Sequence, residues 1–242
     1  MDESSRNNAG LPRKTLPMTD RTSPKPTGPG FFTNLWHAVG LLFWVILLRT
    51  LNHVRIHNLE NIPKRGEHGV LICSNHISAL DPFVIAVTAM PFFSPVWWRA
   101  PAKEELFRWP LVRAIIGTWG GFPVRRGKRD FEAIETMTRL LPMSVIVIFP
   151  EGRRSTDGRL QPGKAGVGKI VYDARPAKVI PVLIEGSDRL LPKGRILPRF
   201  FQTVGITYGP PLDLSRFFIP DSSAELSQKI VDVIMNAIDG LR

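Results

Sequence analysis

The chain reads as an α/β protein, with a central, mostly parallel or mixed β-sheet flanked by helices and an N-terminal membrane-associated helix. Three observations predict this. From about Leu51 short β-branched runs alternate with stretches at helical spacing. The strongest runs are continuously apolar, as strands covered on both faces are. Ahead of them, Ala38 to Leu48 is apolar on every side, which a surface helix of a soluble domain would not be. With 242 residues, 43% of them hydrophobic, the chain can fill one sizeable core and not comfortably two.

Residues 1–30 are rich in Pro, Ser, Thr, Asn and Arg and lack apolar periodicity, so burial cannot offset the entropy of ordering and a disordered tail is expected. No apolar core follows directly on a charged start, and Asp2 and Glu3 argue against a transit peptide. Residues 31–51 form the apolar helix. Its uninterrupted core falls well short of the roughly 20 residues that span a bilayer. Trp36 is placed like an interfacial aromatic, and Arg49 and Arg55 lie just beyond the end. A helix immersed in one leaflet is expected, with a single spanning helix and a central core helix as alternatives.

Residues 52–242 form the main domain. Its strand candidates are Val70 to Cys73, Pro95 to Trp98, Gly120 to Val124, Ser144 to Phe149, Lys178 to Ile184 and Gln202 to Tyr208. Helical spacing places Phe131, Ile134, Thr138 and Leu141 on one face. A capping box, Ser222-Ser223-Ala224-Glu225, announces a last helix carrying Leu226, Ile230, Val233, Ile234, Ala237 and Leu241. Cys73, the single cysteine, lies in an apolar run and is expected in the core. The histidines lack ligand spacing, so no metal site is expected.

The balance of 32 Lys+Arg against 21 Asp+Glu, a net +11, favours polyanionic partners. Anionic lipid, a CoA-like or acidic carrier donor, and nucleic acid all qualify.

In α/β folds, sites gather where strands end. The first such end runs from Val70 to Ser74 into Asn75-His76 and Asp81-Pro82. Asp before Pro reads as a helix start, with Asp81 as N-cap and Pro82 at the first helical position. On one helix His76 and Asp81 would point about 140° apart. With His76 in the preceding turn they can meet, and a carboxylate on one imidazole nitrogen leaves the other free to take a proton from a hydroxyl. Taken alone, H-x4-D reads first as an N-cap beside a polar turn residue, because the pattern is short and both residue types are common. The second end leads into Pro150-Glu151-Gly152-Arg153-Arg154-Ser155, where glycine and arginines suit phosphate capture. Glu151 could orient the arginines, bond a substrate hydroxyl or make a surface ion pair. A third basic stretch, Arg125-Arg126-Gly127-Lys128-Arg129, follows Gly120 to Val124.

Together and in this order, these elements resemble the glycerophospholipid acyltransferase family, of the lysophosphatidic acid acyltransferase type. N-H-x4-D matches Asn75, His76 and Asp81. A glycine, spaced apolar residues and a closing arginine match Gly120 to Arg126, with Arg125 an extra basic residue. F-P-E-G-x-R-S matches Phe149 to Ser155, and an apolar stretch with an internal proline matches Val179-Ile180-Pro181-Val182.

The resemblance implies acyl transfer from acyl-CoA or acyl carrier protein to the sn-2 hydroxyl of lysophosphatidic acid, giving phosphatidic acid in phospholipid biosynthesis at the cytoplasmic face of the cell membrane. His76 would be the base and Asp81 its orienter. Arg126, Glu151, Gly152 and Arg153 would hold the acceptor phosphate, with Asn75, Arg125, Arg154 and Lys164 as possible members. No cofactor beyond the donor substrate is implied. Other lysophospholipids, lyso-aminolipids and glycerol 3-phosphate are alternative acceptors. A serine hydrolase would need a G-x-S-x-G turn, which is absent. A non-catalytic membrane module leaves His76 and Asp81 without a role, and nucleic-acid binding leaves the apolar segment unused.

Overall fold

The computed structural model describes residues 28–125, 131–192, 194–195, 197–218 and 223–242. Its strands are β1 (His53–His57), β2 (Val70–Ser74), β3 (Trp97–Lys103), β4 (Gly121–Val124), β5 (Ser144–Ile148), β6 (Lys178–Glu185) and β7 (Thr203–Tyr208). They form one sheet in the order β1-β7-β6-β2-β5-β3-β4. Every neighbouring pair is parallel except β6 with β7. The sheet is therefore mixed and mostly parallel, and the carboxyl ends of β2 to β6 gather at one end.

The continuous apolar strands are continuous because both faces are covered. Leu71 and Cys73 of β2, with Ile146 and Ile148 of β5, pack under α4 (Phe131–Leu140), α5 (Ala165–Ala174) and α7 (Ala224–Asp239). Val70 and Ile72, with Val145 and Val147, face the other way, toward α2 (Asp81–Ala89). Cys73 is fully buried and desolvation drives its thiol pKa far up, as befits a packing residue. Helices α5 and α7 approach so closely that a Cβ on Gly168 would lie 1.8 Å from the Ser227 carbonyl oxygen.

Several elements differ from the sequence expectations. β1 was not foreseen; its residues alternate between exposed and half-buried, as an edge strand does. β3 runs on to Lys103 because it changes partner: Trp97 to Arg99 pair with β5, and Ala100 to Lys103 with β4. On α4 the buried side chains are Ala133 and Met137, while Phe131 is exposed. The cap of α7 is Ser223, whose Oγ accepts the Leu226 N–H, and not the box beginning at Ser222, which lies outside the described residues. Glu225 instead pairs with Lys229.

The N-terminal helix α1 (Phe31–Val45) continues as a π-helical turn, Ile46–Thr50. Phe31–Thr50 is 20 residues long with mean hydropathy 1.8, enough by length and composition to cross a membrane. It lies along the domain, however, with Asn34, His37, Leu41 and Leu48 buried against it. Asn34 donates to the Pro29 and Ser94 carbonyls and accepts the Ser94 N–H, tying the helix start down. The expected disordered tail lies outside the described residues except for 28–30.

Gly168→Ala is expected to lower stability by about 2–3 kcal/mol, since the new methyl must push α5 off α7. Urea denaturation followed by circular dichroism measures this.

Candidate active site

β2 delivers the chain to the catalytic end of the sheet, and a tight turn carries it from Asn75 to the start of α2. Pro82 lacks an N–H and suits the first turn of that helix. Leu80 rather than Asp81 occupies the N-cap, and Asp81 is the first helical residue. Its carboxylate reaches backward. Oδ2 accepts the Ile77 and Ser78 N–H groups, each at 2.8 Å, and His76 Nδ1–H at 2.8 Å. Oδ1 accepts the Ser187 hydroxyl at 2.5 Å. Asp81 has no exposed surface, so these donors offset the cost of removing its charge from water.

A carboxylate can only accept, so His76 Nδ1 carries the proton and Nε2 is left with a lone pair. The ring stacks on Phe149 with centroids 4.1 Å apart, and its side chain is 13% exposed. The arrangement is that of a base and its orienter at the rim of a parallel sheet.

The backbone of the turn is held from both sides. Asn75 forms a two-way amide pair with β6: its Nδ2 donates to the Ile184 carbonyl at 2.8 Å, and its Oδ1 accepts the Ile184 N–H at 2.7 Å. From β5, Glu151 Oε1 accepts the His76 N–H at 2.8 Å, and the Ser155 N–H donates to the His76 carbonyl at 2.7 Å. Glu151 Oε2 accepts the Gln161 N–H. Glu151 is 2% exposed; burial raises its pKa, with the two backbone N–H bonds opposing that shift.

Both Glu151 oxygens are therefore taken by backbone N–H groups, and the carboxylate braces the His76 turn. Gly152 adopts φ +67°, and the side chain of Lys164 lies over it, 2.8 Å from where a Cβ would be. The positive φ is what favours glycine here, since the tip of the lysine could move aside. Lys164 immediately precedes α5, and its N–H donates to the Pro150 carbonyl. Arg153 and Arg154 are exposed on the same loop and make no ion pair among the described residues. The turn thus carries a cationic rim. Arg125 stands apart, engaged by Glu104 at 2.8 Å on the surface. Arg126 lies outside the described residues. Among the described residues no three His, Cys, Asp or Glu side chains converge as metal ligands.

Sequence reasoning missed Ser187 and the backbone role of Ser155. Ser187 opens the short helix α6 (Ser187–Leu190) and lies 106 residues from the carboxylate it touches. No local pattern links them; the only signal is that β6 ends where β2 ends.

A parallel sheet with a His–Asp pair at its carboxyl ends and a cationic loop beside it defines a class of proteins equipped to activate a hydroxyl next to an anion. The chain belongs to the acyltransferase family, whose model matches residues 53–185, more than half of its length. The crystal structure of the 1-acyl-sn-glycerophosphate (LPA) acyltransferase from Thermotoga maritima is similar, with a TM-score of 0.56 and 26% identity, covering 86% of this chain and 89% of that one. The chloroplastic 1-acyl-sn-glycerol-3-phosphate acyltransferase LPAT1 of Arabidopsis thaliana is 27% identical over 161 residues, 65% of this chain and 43% of that protein. Tafazzin of Drosophila melanogaster is 30% identical over 227 residues, 85% of this chain and 59% of its own length. The chain spans about half the length of the curated relatives it matches.

Asp81→Asn can keep the turn, because the amide oxygen accepts where Oδ2 did. It loses the charge that stabilises the imidazolium, so kcat should fall by about 10²–10⁴-fold with the acceptor KM little changed. Ser187→Ala leaves Oδ1 unpaired. It should lower kcat about tenfold at unchanged KM, with Ser187→Thr restoring most of the rate. Steady-state thiol release against acceptor concentration separates the two constants.

Proposed function

We propose that this protein transfers a fatty acyl group from an acyl thioester, acyl-CoA or acyl carrier protein, to the sn-2 hydroxyl of lysophosphatidic acid, forming phosphatidic acid. The carrying observation is the His76–Asp81 pair, locked in one tautomer beside the cationic loop of Arg153, Arg154 and Lys164. The similar proteins named for acylation of 1-acylglycerol 3-phosphate support the choice of acceptor.

The thioester is already activated, so transfer is direct. His76 Nε2 takes the proton of the acceptor hydroxyl as its oxygen bonds to the thioester carbonyl carbon. The tetrahedral intermediate collapses, the carbon–sulfur bond breaks, and the thiolate leaves with the proton returned from His76. Asp81 holds the ring and balances its transient charge. Lys164 and Arg153 form the acceptor phosphate site over the glycine loop, with Arg154 at its edge, and the motif that Arg126 closes assigns that arginine to the same phosphate. Gly152 lets the phosphate approach the backbone, and Glu151 braces the base.

In this reading the chemistry takes place at a membrane surface, on the cytoplasmic side where the acyl donors are found, and the apolar helix over 31–50 supports the membrane association. Its buried side follows the domain, which favours a helix lying in one leaflet over one crossing it.

The purified protein, in vesicles with acyl-CoA, should acylate lysophosphatidic acid faster than lysophosphatidylcholine, lyso-aminolipids or glycerol 3-phosphate, measured by thiol release and lipid product. Transfer to none of these would contradict the assignment. Lys164→Ala and Arg126→Ala should each raise the KM for lysophosphatidic acid by about tenfold, the cost of one charged hydrogen bond, and leave the donor KM unchanged.

A further inference from the structure

Helix α3 (Pro110–Thr118) has the sequence PLVRAIIGT and buries none of its nine residues. A helix this short is marginal in water by itself and ordinarily owes its stability to packing of an apolar face. Here Val112 and Ile116 are half-buried, and beside them a second apolar side is open. Leu111 is 73% exposed, Trp109 just before it 71%, and Ile115 and Leu106 are exposed too.

The outer face of α1 is apolar and exposed as well, with Phe32, Leu35, Trp36, Val39, Leu42, Phe43 and Ile46. The two helices are joined where α3 ends. Trp36 Nε1 donates to Thr118 Oγ1, His37 Nε2 contacts the Thr118 carbonyl at 2.6 Å, and Gly40 admits the Trp119 ring. Because α3 follows β3 and precedes the parallel β4, it starts at the catalytic end of the sheet and runs back from it. Trp109 and Leu111 thus stand at the end that carries His76, and β3 is two strands from β2, about 10 Å at ordinary strand spacing.

We infer that α3 and the turn before it are a second membrane-inserting element, which with α1 seats the catalytic end of the sheet on one leaflet containing anionic lipid. The inference builds on the proposal that α1 is membrane-associated. Charge selects this occupant: Lys103, Arg108 and Arg113 are exposed around the apolar residues, against Glu105, while Glu104 is held by Arg125. Such a basic border on an apolar face suits anionic headgroups. The chain's own first 27 residues are a poor cover, since their large apolar side chains are limited to Met1, Leu11, Leu16 and Met18.

Cys73 is fully buried, so a single introduced cysteine can carry an environment-sensitive NBD label. Labels at Val39→Cys (α1), Leu111→Cys (α3) and Lys229→Cys (α7, opposite face) are compared with and without phosphatidylcholine–phosphatidylglycerol vesicles. On vesicles, the Val39 and Leu111 labels should shift to the blue and be quenched by spin-labelled lipid, and the Lys229 label should not. If only the Val39 label responds, α1 binds membrane and the inference about α3 is wrong. If neither responds, membrane association fails with it. A Leu111 label already blue-shifted without vesicles would mean that another protein surface covers the face, again overturning the inference. Trp109→Glu with Leu111→Glu should weaken vesicle binding about tenfold or more, with turnover of a dispersed short-chain acceptor unchanged.

Discussion

Asp81 is a carboxylate with no access to solvent, and the catalytic end of this molecule is organised by the need to satisfy it. An ionised group in such a place is tolerated only when donors replace its water. The turn before α2 curls so that two consecutive N–H groups, Ile77 and Ser78, point at one oxygen. The imidazole of His76 completes that oxygen, and Ser187, brought in by the end of β6, takes the other. The same arrangement that stabilises a buried charge also sets the tautomer of the histidine and leaves Nε2 free.

A base must be held still to be useful, and here the restraint comes from two neighbouring strands. Asn75 copies a strand hydrogen-bond pair with Ile184 using its side-chain amide, so β2 is in effect extended by one residue. On the other side the loop after β5 grips the His76 backbone at both its N–H and its carbonyl. The N-H-x4-D and F-P-E-G-x-R-S segments therefore belong together for a mechanical reason: the second fixes the peptide units on which the first depends. The loop that performs this bracing also carries Arg153 and Arg154, with Lys164 folded over Gly152. Positioning of the base and placement of positive charge are features of one short piece of chain.

Much of this was legible in sequence, for identifiable reasons. β2, β5 and β6 are covered on both faces, so their apolar runs are unbroken and stand out. β1 is a half-covered edge strand of five residues, His-Val-Arg-Ile-His, directly after an apolar helix, and so short an alternation does not stand out beside the helix's basic flank. β3 resisted because its second half pairs with a different strand from its first. The hydrogen bonds of Glu151 were not legible, since its neighbours in sequence are arginines while its partners in space are backbone N–H groups, and sequence does not tell which way a loop carboxylate turns. Ser187 could not be found at all from local pattern, because its partner is brought to it only by sheet order.

In the proposed reaction His76, oriented by Asp81, removes the acceptor proton in the transfer step. The most direct measurement is the turnover of acyl-CoA and lysophosphatidic acid on vesicles by His76→Ala, with circular dichroism and vesicle binding confirmed equal to the unsubstituted protein. The account predicts a fall in kcat of roughly 10²–10⁴-fold, the usual contribution of a positioned base. Turnover within about threefold of the unsubstituted protein, far short of that range's lower bound, would contradict it.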